Sequence, residues 1–293
     1  MRFAKWHGSH NDFVMLADPD DAIELTAPRA RALCDRRAGV GADGVIRVAP
    51  GRDGADVTMD YRNADGSHAE MCGNGIRCVA LFARAEGLAT GSRMSVATGA
   101  GVRAVTILES GDVRVDMGVP DFEPARVPVE WDGADALRVE LELDDARVVD
   151  LGLDDAVVEA SCLSMGNPHA VVFVDDVAAV ALGAIGPVLE RHRRFPHGAN
   201  VEVARVESPE RVAMRVWERG SGETHACGTG ACAVAVAART LRGAAARVVV
   251  AQPGGDVVVE WSGPGSPAYL IGPAIESYRG DVDLDALAAV VAR

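Results

Sequence analysis

The sequence contains almost no lysine and no long apolar run. Of its 29 basic residues, 28 are arginine and one is lysine, Lys5. A pyridoxal enzyme needs a lysine amine for its Schiff base, and only this residue near the N-terminus could supply it. Any amino-acid chemistry is therefore expected to proceed without a cofactor. No apolar stretch approaches the ~18 residues of a membrane-spanning helix, so no membrane partner is expected.

Positive charge is also scarce. Among 293 residues, 43 acidic and 29 basic side chains give a net charge of −14. This balance leaves no excess of positive charge to neutralise phosphates, so nucleic acid is not an expected partner. The segment 1–7 lacks the apolar core of a signal peptide, and we expect a cytoplasmic protein. The chain length suggests about two domains at ~150 residues each.

The six cysteines do not have the spacing of a structural zinc site. Their separations miss the C-x2-C pattern, so no metal site is predicted. In a reducing cytosol their even number does not predict disulfides. Four of them are expected to be small buried hydrophobic residues: Cys34, Cys78, Cys162 and Cys232.

The other two cysteines occupy matching positions of an internal repeat. Segments 57–84 and 212–239 match at a spacing of 155 residues, which places Cys72 opposite Cys227. An ordered series of matches at one spacing is typical of duplication. We therefore predict two homologous halves, residues 1–122 and residues 123–275.

Each half shows the same order of predicted elements. The β-rich runs 57–61 and 212–217 predict strands. The Ala-rich segments 73–86 and 228–242 predict buried helices that end near a glycine, and a β-hairpin follows each helix. The predicted fold class is α+β, with a mixed sheet around a central helix in each half. The acidic stretch 123–160 is expected to bridge the halves, and 281–293 to form a short terminal helix.

Cys72 and Cys227 each stand immediately before a predicted helix N-terminus. Outward-pointing N–H groups and the helix dipole stabilise a thiolate there and lower the pKa of a cysteine toward neutrality. The same amides can hold a carboxylate, and Gly73 and Gly228 would let its oxygens approach the backbone. Halves packed face to face would place two thiols on opposite sides of one ligand. Proton exchange at a carbon stereocentre needs this arrangement, with an acid on one face and a base on the other.

A thiol that works as acid or base needs neighbours that adjust its pKa. His169 and Glu218 are the candidates, because both lie beside the matched motif segments rather than in apolar stripes. The alternatives are a hydrogen-bonded structural histidine and a turn or capping glutamate.

The motifs of this chain resemble those of the diaminopimelate epimerase family. They include Met71-Cys-Gly-Asn-Gly-Ile-Arg-Cys78, Gly166-Asn-Pro-His169 and the segment 217–231, together with 11–13, 41–44 and 63–66. The resemblance runs from Phe3 to Ala274, and the two cysteine motifs with Gly-Asn-Pro-His between them are very specific. Gly44 departs from the pattern, since some family members carry a glutamine there whose side chain touches the substrate.

The resemblance implies a pyridoxal-independent isomerase that interconverts LL- and meso-2,6-diaminopimelate on the path to lysine and the bacterial cell wall. It implies a small-molecule amino-acid substrate and no metal or organic cofactor. The implied fold has two domains with the active site in the cleft between them. The C-terminal segment 276–293 would join the first domain, and the chain would form a homodimer.

The resemblance also assigns site residues. Cys72 and Cys227 would be the acid/base thiols, and His169 and Glu218 would adjust them. Arg219 is well suited to clamp a carboxylate through paired hydrogen bonds. Backbone amides would hold the carboxylate of the reacting centre at Gly73, Asn74, Gly228 and Thr229. The rest of the substrate would be bound by Asn11, Asn63, Asn167, Asn200, Glu218 and Arg219.

Two other functions remain open from the sequence. The same fold could serve a racemase or epimerase of another amino acid, such as histidine, proline or hydroxyproline. Alternatively, Cys72 and Cys227 could form a functional disulfide or bind a metal, which would make the protein a redox or structural protein.

Overall fold

The computed structural model describes residues 1–69, 71–143, 157–284 and 286–287. The chain forms two compact units, one of Met1–Asp116 with Ile271–Arg293 and the other of Met117–Leu270. The sequence places these boundaries a few residues later, after 122 and after 275. Parts of the predicted bridge at 123–160 and of the predicted helix at 281–293 lie outside the described residues.

The first unit is a mixed sheet with two helices. Strands β2 and β3 pair in parallel, as do β4 and β6. The pairs β1–β18, β1–β2, β3–β4, β4–β5, β6–β7 and β7–β8 are antiparallel. In chain order the elements are β1 (Arg2–Gly8), β2 (Asn11–Ala17), α1 (Ala27–Cys34), β3 (Gly44–Pro50), β4 (Val57–Asn63), β5 (His68–Ala69), α2 (Gly73–Ala85), β6 (Arg93–Thr98), β7 (Gly101–Ile107) and β8 (Val113–Asp116), with β18 (Ile275–Asp281) added from the C-terminal segment.

The second unit repeats this order. Strands β11 and β12 pair in parallel, as do β13 and β15. The pairs β9–β10, β10–β11, β12–β13, β13–β14 and β15–β16 are antiparallel. The elements are β9 (Val139–Glu142), β10 (Val157–Ser164), β11 (Pro168–Phe173), α3 (Leu182–Glu190), β12 (Asn200–Ser208), β13 (Arg211–Glu218), β14 (Gly222–Thr224), α4 (Gly228–Arg242), β15 (Arg247–Ala251), β16 (Val257–Trp261) and β17 (Ala268–Gly272).

Strands surround one helix in each unit. Helix α2 contacts β1, β2, β3, β4, β7 and β8, and α4 contacts β10, β11, β12, β13, β15 and β16. Both helices carry mostly alanine, valine, glycine and other apolar residues on every side, and such a sequence is stable as a helix only when buried. Helix α4 ends at Gly243, whose φ of 74° is left-handed and favours glycine. The predicted α+β class and the predicted central helices are confirmed.

Smaller helices cover the outer face of the sheet in each unit. In the first unit, Leu33 of α1 packs with Val14, Val45 and, from the C-terminal segment, Leu284. In the second unit, apolar residues of α3 pack with β9, β11 and β12. Cys34, Cys78, Cys162 and Cys232 are all buried, as predicted. None of the helices among the described residues is long and apolar enough to cross a membrane.

Gly44, which departs from the family pattern, lies where a side chain would collide with the neighbouring strand. A Cβ atom at Gly44 would be 2.4 Å from Tyr61 Cε2 and 2.7 Å from the backbone oxygen of Arg62. Because backbone cannot move aside easily, we expect Gly44→Ala to lower the free energy of unfolding by about 1–3 kcal/mol, measured by urea denaturation.

Gly183→Ala is the matched control for this measurement. A Cβ atom at Gly183 in α3 would meet nothing within 4 Å, and alanine is the better helix former. This control variant should be as stable as the unmodified protein or more so. Equal stability of the Gly44→Ala variant and the unmodified protein would contradict the steric argument.

Candidate active-site residues

Cys72 and Cys227 are the N-cap residues of α2 and α4. Their backbones are extended, with φ of −140° and −129°, which is the conformation that N-cap residues adopt. Cys72 is half-buried, whereas Cys227 is only 6% exposed. Both thiols therefore lie at helix N-termini, as predicted, but in different surroundings.

The first thiol cluster consists of Cys72, Asn11 and Asn74. The sulfur accepts a hydrogen bond from the Gly75 amide at 3.4 Å. It also lies 3.5 Å from Asn11 Oδ1, which accepts from Asn74 Nδ2 at the same distance. Because the amide donates to the sulfur and the asparagine oxygen accepts from it, this cluster can hold Cys72 as a thiolate or as a thiol.

Asp43 fixes the orientation of the Asn11 side chain. Asn11 Nδ2 donates to Asp43 Oδ2 at 2.8 Å. Since a carboxylate can only accept, the NH₂ group of Asn11 must face Asp43, and its oxygen is left to face Cys72.

A network of charges holds Asp43 and its neighbours. Arg36 bridges Asp43 at 2.7 Å and Asp12 at 2.8 Å. Lys5, the single lysine, is buried and pairs with Asp12 at 2.7 Å. Burial raises the pKa of Asp12, but the hydrogen bonds from Arg36 and Lys5 outweigh it and hold this pKa well below its ordinary value. The lysine is thus part of an ion-pair network in the first unit.

The second thiol cluster consists of Cys227, Glu218, Thr229, Asn167 and His169. The Glu218 carboxyl group accepts a hydrogen bond from the Thr224 hydroxyl and interacts electrostatically with the Cys227 thiol. Thr229 Oγ1 lies 3.4 Å from the sulfur. The Cys227 amide donates to the buried Gln252 side chain at 2.9 Å. The thiol therefore lies beside a hydroxyl group and close to the charge of a carboxyl group.

Burial dominates the proton affinity of the second thiol cluster. Burial first, and then the carboxylates of Glu218 and Glu202, raise the pKa of Cys227 well above its ordinary value. Burial also raises the pKa of Glu218. The expectation of a lowered pKa is wrong for Cys227, because these effects outweigh the helix N-terminus. At neutral pH Cys227 is a thiol with a carboxyl group beside it.

His169 is fully buried and pairs with Glu202, a residue not predicted from the sequence. The His169 Nδ1 atom is 2.7 Å from Glu202 Oε1, and Nε2 is 3.0 Å from Asn167 Oδ1. A glutamate between Val201 and Val203 looks like the solvent face of an alternating strand. The signal in the sequence was its position two residues after Asn200, which the family resemblance assigns to the site.

Asn200 and Arg219 have different surroundings. Asn200 is buried, and its side chain donates to the Pro168 carbonyl at 3.0 Å and accepts from the Arg219 amide at 2.9 Å. It thereby joins the Gly-Asn-Pro-His segment to the turn after β13. The Arg219 side chain is exposed and donates to the His197 carbonyl at 3.1 Å.

Buried Glu190, also missed from the sequence, supports the same turn. It accepts from Trp217 Nε1 at 2.7 Å and from the Gly220 amide at 3.0 Å. In the first unit, Asn63 ends β4 and donates to Ser67 Oγ at 3.0 Å. The structure thus places Asn11 and Asn74 in the cluster of Cys72, and Thr229 and Glu218 in that of Cys227. The side chains of Asn63, Asn200 and Arg219 bond to other residues instead.

Comparison with known proteins identifies the family. The chain matches the family "Diaminopimelate epimerase" over residues 3–123 and 161–276. It belongs to this family. The diaminopimelate epimerase of Desulforudis audaxviator is 46% identical over 288 residues, which cover 96% of this chain and 98% of the relative. That of Moorella thermoacetica is 43% identical over 290 residues, covering 97% and 100%.

Solved structures share the fold of this family member at low sequence identity. A phenazine biosynthesis protein of the PhzF family from Bacillus anthracis has a TM-score of 0.68 at 16% identity, covering 97% of this chain and 99% of its own. A probable proline racemase from Agrobacterium radiobacter has a TM-score of 0.66 at 16% identity, covering 97% and 93%. The predicted family, an isomerase family, and the predicted fold class are confirmed.

Replacing Glu218 should make Cys227 more reactive. The Glu218→Gln substitution removes a negative charge that opposes the thiolate, so the pKa of Cys227 falls and its alkylation curve moves to lower pH. We expect iodoacetamide to modify Cys227 about 3–10-fold faster at about pH 8, since one pKa unit changes the thiolate fraction about tenfold. Peptide mass spectrometry reports Cys227 separately. Glu223→Gln on the adjacent strand is the control, and an unchanged rate for Glu218→Gln would refute the assignment.

Replacing Asp43 should alter the first thiol cluster alone. With Asp43→Asn, the Asn11 amide is no longer fixed and can turn its NH₂ group toward the Cys72 sulfur, which favours the thiolate. We expect alkylation of Cys72 to become about 2–5-fold faster at about pH 7.5, with no change at Cys227. Asp112→Asn, in an exposed hairpin of the same unit, should leave both rates unchanged. A slower reaction of Cys72 would contradict the proposed orientation of Asn11.

Proposed function

We propose that this chain interconverts LL- and meso-2,6-diaminopimelate without a cofactor: one cysteine thiolate removes the α-proton, and the other cysteine thiol donates a proton to the opposite face. The observation that carries this proposal is the pair of cysteines at equivalent helix N-termini of a duplicated chain in the diaminopimelate epimerase family. The names of the relatives at 43% and 46% identity support the substrate.

The two thiols would act on opposite faces of one α-carbon. In one direction, a Cys72 thiolate removes the α-proton, and the electron pair of the broken C–H bond moves into an enolate-like carboxylate. The Cys227 thiol then gives its proton to the other face, which forms the new C–H bond and leaves Cys227 as the thiolate and Cys72 as the thiol. The reverse direction exchanges these roles. The raised pKa of Cys227 suits the acid of the first direction.

Glu218 would serve the reverse direction. There Cys227 must lose its proton before it can act as a base, while Cys72 takes up a proton from solvent. The Glu218 carboxyl group lies close enough to the Cys227 thiol to act on it electrostatically. A carboxyl group whose pKa is raised by burial can take up a proton closer to neutral pH than an exposed one. Glu218 is therefore the group we propose to exchange protons with Cys227.

The helix N-termini would stabilise the charge that develops in the reaction. The first-turn amides of α2, at Gly73 and Asn74, and those of α4, at Gly228 and Thr229, would hold the carboxylate of the reacting centre. Their dipoles are fixed by the buried helices and do not have to reorganise as the proton leaves. The helices themselves would thus contribute to catalysis as well as to the fold.

The distal end of diaminopimelate carries a second amino group and a second carboxylate. The exposed guanidinium group of Arg219 is suited to bind that carboxylate with two parallel hydrogen bonds. Asn11, Asn63, Asn167 and Asn200 offer both donors and acceptors for a zwitterion. A homodimer and a cytoplasmic location remain predictions from the resemblance.

Isotope exchange tests the reaction. The wild-type protein, incubated with LL-diaminopimelate in D₂O, should incorporate deuterium at the α-carbon as the meso form appears. Cys72→Ala and Cys227→Ala should each reduce kcat by about 10²–10⁴-fold, the usual contribution of an acid or base. Cys232→Ala, further along α4 at a buried position, should retain activity. Full activity of either catalytic variant would overturn the two-thiol mechanism.

A substrate panel separates the alternatives. Exchange with histidine, proline or hydroxyproline but not with diaminopimelate would overturn the substrate while leaving the reaction class intact. Absence of exchange with every amino acid by the fully reduced protein would instead favour a redox or metal-binding role for Cys72 and Cys227.

A further inference from the structure

A histidine and a glutamate lie fully buried together in the second unit. The side chains of His169 and Glu202 are each 0% exposed and 2.7 Å apart. Removing two ionisable groups from water is unfavourable, and apolar side chains of similar size often stabilise a protein as well or better. Packing alone therefore does not account for this pair.

The first unit has apolar side chains at the same positions of the repeat. Phe13 pairs with Gly44 in the parallel strands β2 and β3, as His169 pairs with Asn200 in β11 and β12. Two residues beyond these pairs lie Ile46 in the first unit and Glu202 in the second. Phe13 and Ile46 are fully buried. The duplicated fold is therefore formed equally well with phenylalanine and isoleucine at these positions.

The glycines of the two central helices support this equivalence. A Cβ atom at Gly75 of α2 would be 2.8 Å from Ile46 Cδ1, and one at Gly230 of α4 would be 2.7 Å from Glu202 Oε1. In each unit the same position of β3 or β12 thus packs against the same glycine of the helix. The ionisable pair in the second unit is a substitution within a shared packing arrangement.

A chain of hydrogen-bonding groups leads from this pair to the second cysteine. Glu202 Oε1 faces His169 Nδ1, and His169 Nε2 faces Asn167 Oδ1 at 3.0 Å. Asn167 Nδ2 donates to Thr229 Oγ1 at 3.5 Å, and this hydroxyl lies 3.4 Å from Cys227 Sγ. Both ring nitrogens face oxygen acceptors, so the doubly protonated ring fits the geometry.

The other oxygen of Glu202 strengthens the case for a charged ring. Among the residues that the structure describes, Oε2 is buried and has no hydrogen-bond partner. His169 is therefore the group that compensates the charge of the carboxylate. The titratable groups that face the pair from neighbouring elements are Glu218 on β13, Cys227 at the start of α4 and Cys162 on β10.

We propose that Glu202 is a positioning residue that keeps His169 doubly protonated and thereby fixes the orientation of Asn167 and the hydroxyl group of Thr229 toward Cys227. Its role in catalysis rests on the proposed function, whereas its effect on His169 does not. The negative charge of Glu202 also contributes to the raised pKa of Cys227. Replacement of Glu202 should therefore change the protonation of His169 while leaving the fold intact.

Nitrogen NMR of ¹⁵N-histidine-labelled protein tests the charge on His169 directly. At about pH 8, where an ordinary exposed histidine is neutral, His169 should still show two protonated ring nitrogens. In Glu202→Gln it should show one. Glu207→Gln, at the exposed end of the same strand, should leave the His169 signals unchanged. A neutral His169 in the wild-type protein, or an unchanged His169 in Glu202→Gln, would overturn the proposal.

Kinetics test the catalytic consequence. In Glu202→Gln, kcat for α-proton exchange should fall about 10–100-fold, as is usual when a supporting group behind a functional residue is removed, while KM stays within about twofold. Glu202→Asp keeps the charge and should restore the two protonated nitrogens and part of kcat. A change in KM alone would overturn the proposal. If the wild type exchanges no diaminopimelate, the proposed function fails, but the NMR result still decides the charge on His169.

A double substitution separates positioning from folding. His169→Phe with Glu202→Ile introduces the side chains that the first unit carries at these positions. We expect this variant to resist urea as well as the wild-type protein and to lose activity. A large loss of stability would show that the pair is needed for the fold, and it would overturn the inference from the repeat.

Discussion

The burial of one helix within each unit determines where the thiols can lie. Helices α2 and α4 contact strands on several sides, so their apolar residues are fixed in place and only their ends are suited to chemistry. Each begins directly after a cysteine, which places a sulfur atom beside the amides of a rigid first turn. The same packing that stabilises the unit therefore orients the dipole that the proposed reaction uses.

Duplication gave two similar scaffolds, and substitution made their thiols chemically different. Cys72 is half-buried, with an amide donor and the oxygen of Asn11 at its sulfur. Cys227 is buried beside Glu218 and Glu202, which raise its pKa. Two thiols with the same pKa would tend to be in the same protonation state at a given pH. Unequal surroundings favour a thiol at Cys227, so the asymmetry suits a reaction that needs an acid and a base at once.

The sequence could predict what depends on local pattern and on the repeat. The Ala-rich segments before Gly87 and Gly243 gave both central helices, and the repeat located both N-cap cysteines. It could not predict the raised pKa of Cys227, because burial, its largest cause, and the charge of Glu202 both depend on how the strands pack around α4. Glu202 was missed for a related reason. Its alternation with Val201 and Val203 indicates a solvent-facing side chain, but α3 covers one face of this strand and α4 the other.

The repeated Cys-Gly-x-Gly motif acquires two distinct physical roles from this packing. Its first glycine is the first residue of the helix and would allow a carboxylate to approach the backbone. Its second glycine serves the interior, because a strand side chain lies where its Cβ atom would be: Ile46 against Gly75, and Glu202 against Gly230. Any larger residue at position 230 would collide with the carboxylate of Glu202 that faces His169. Both copies therefore need the second glycine of the motif for packing. In the second copy, the absence of a side chain at Gly230 also leaves space for a charged group behind the thiol.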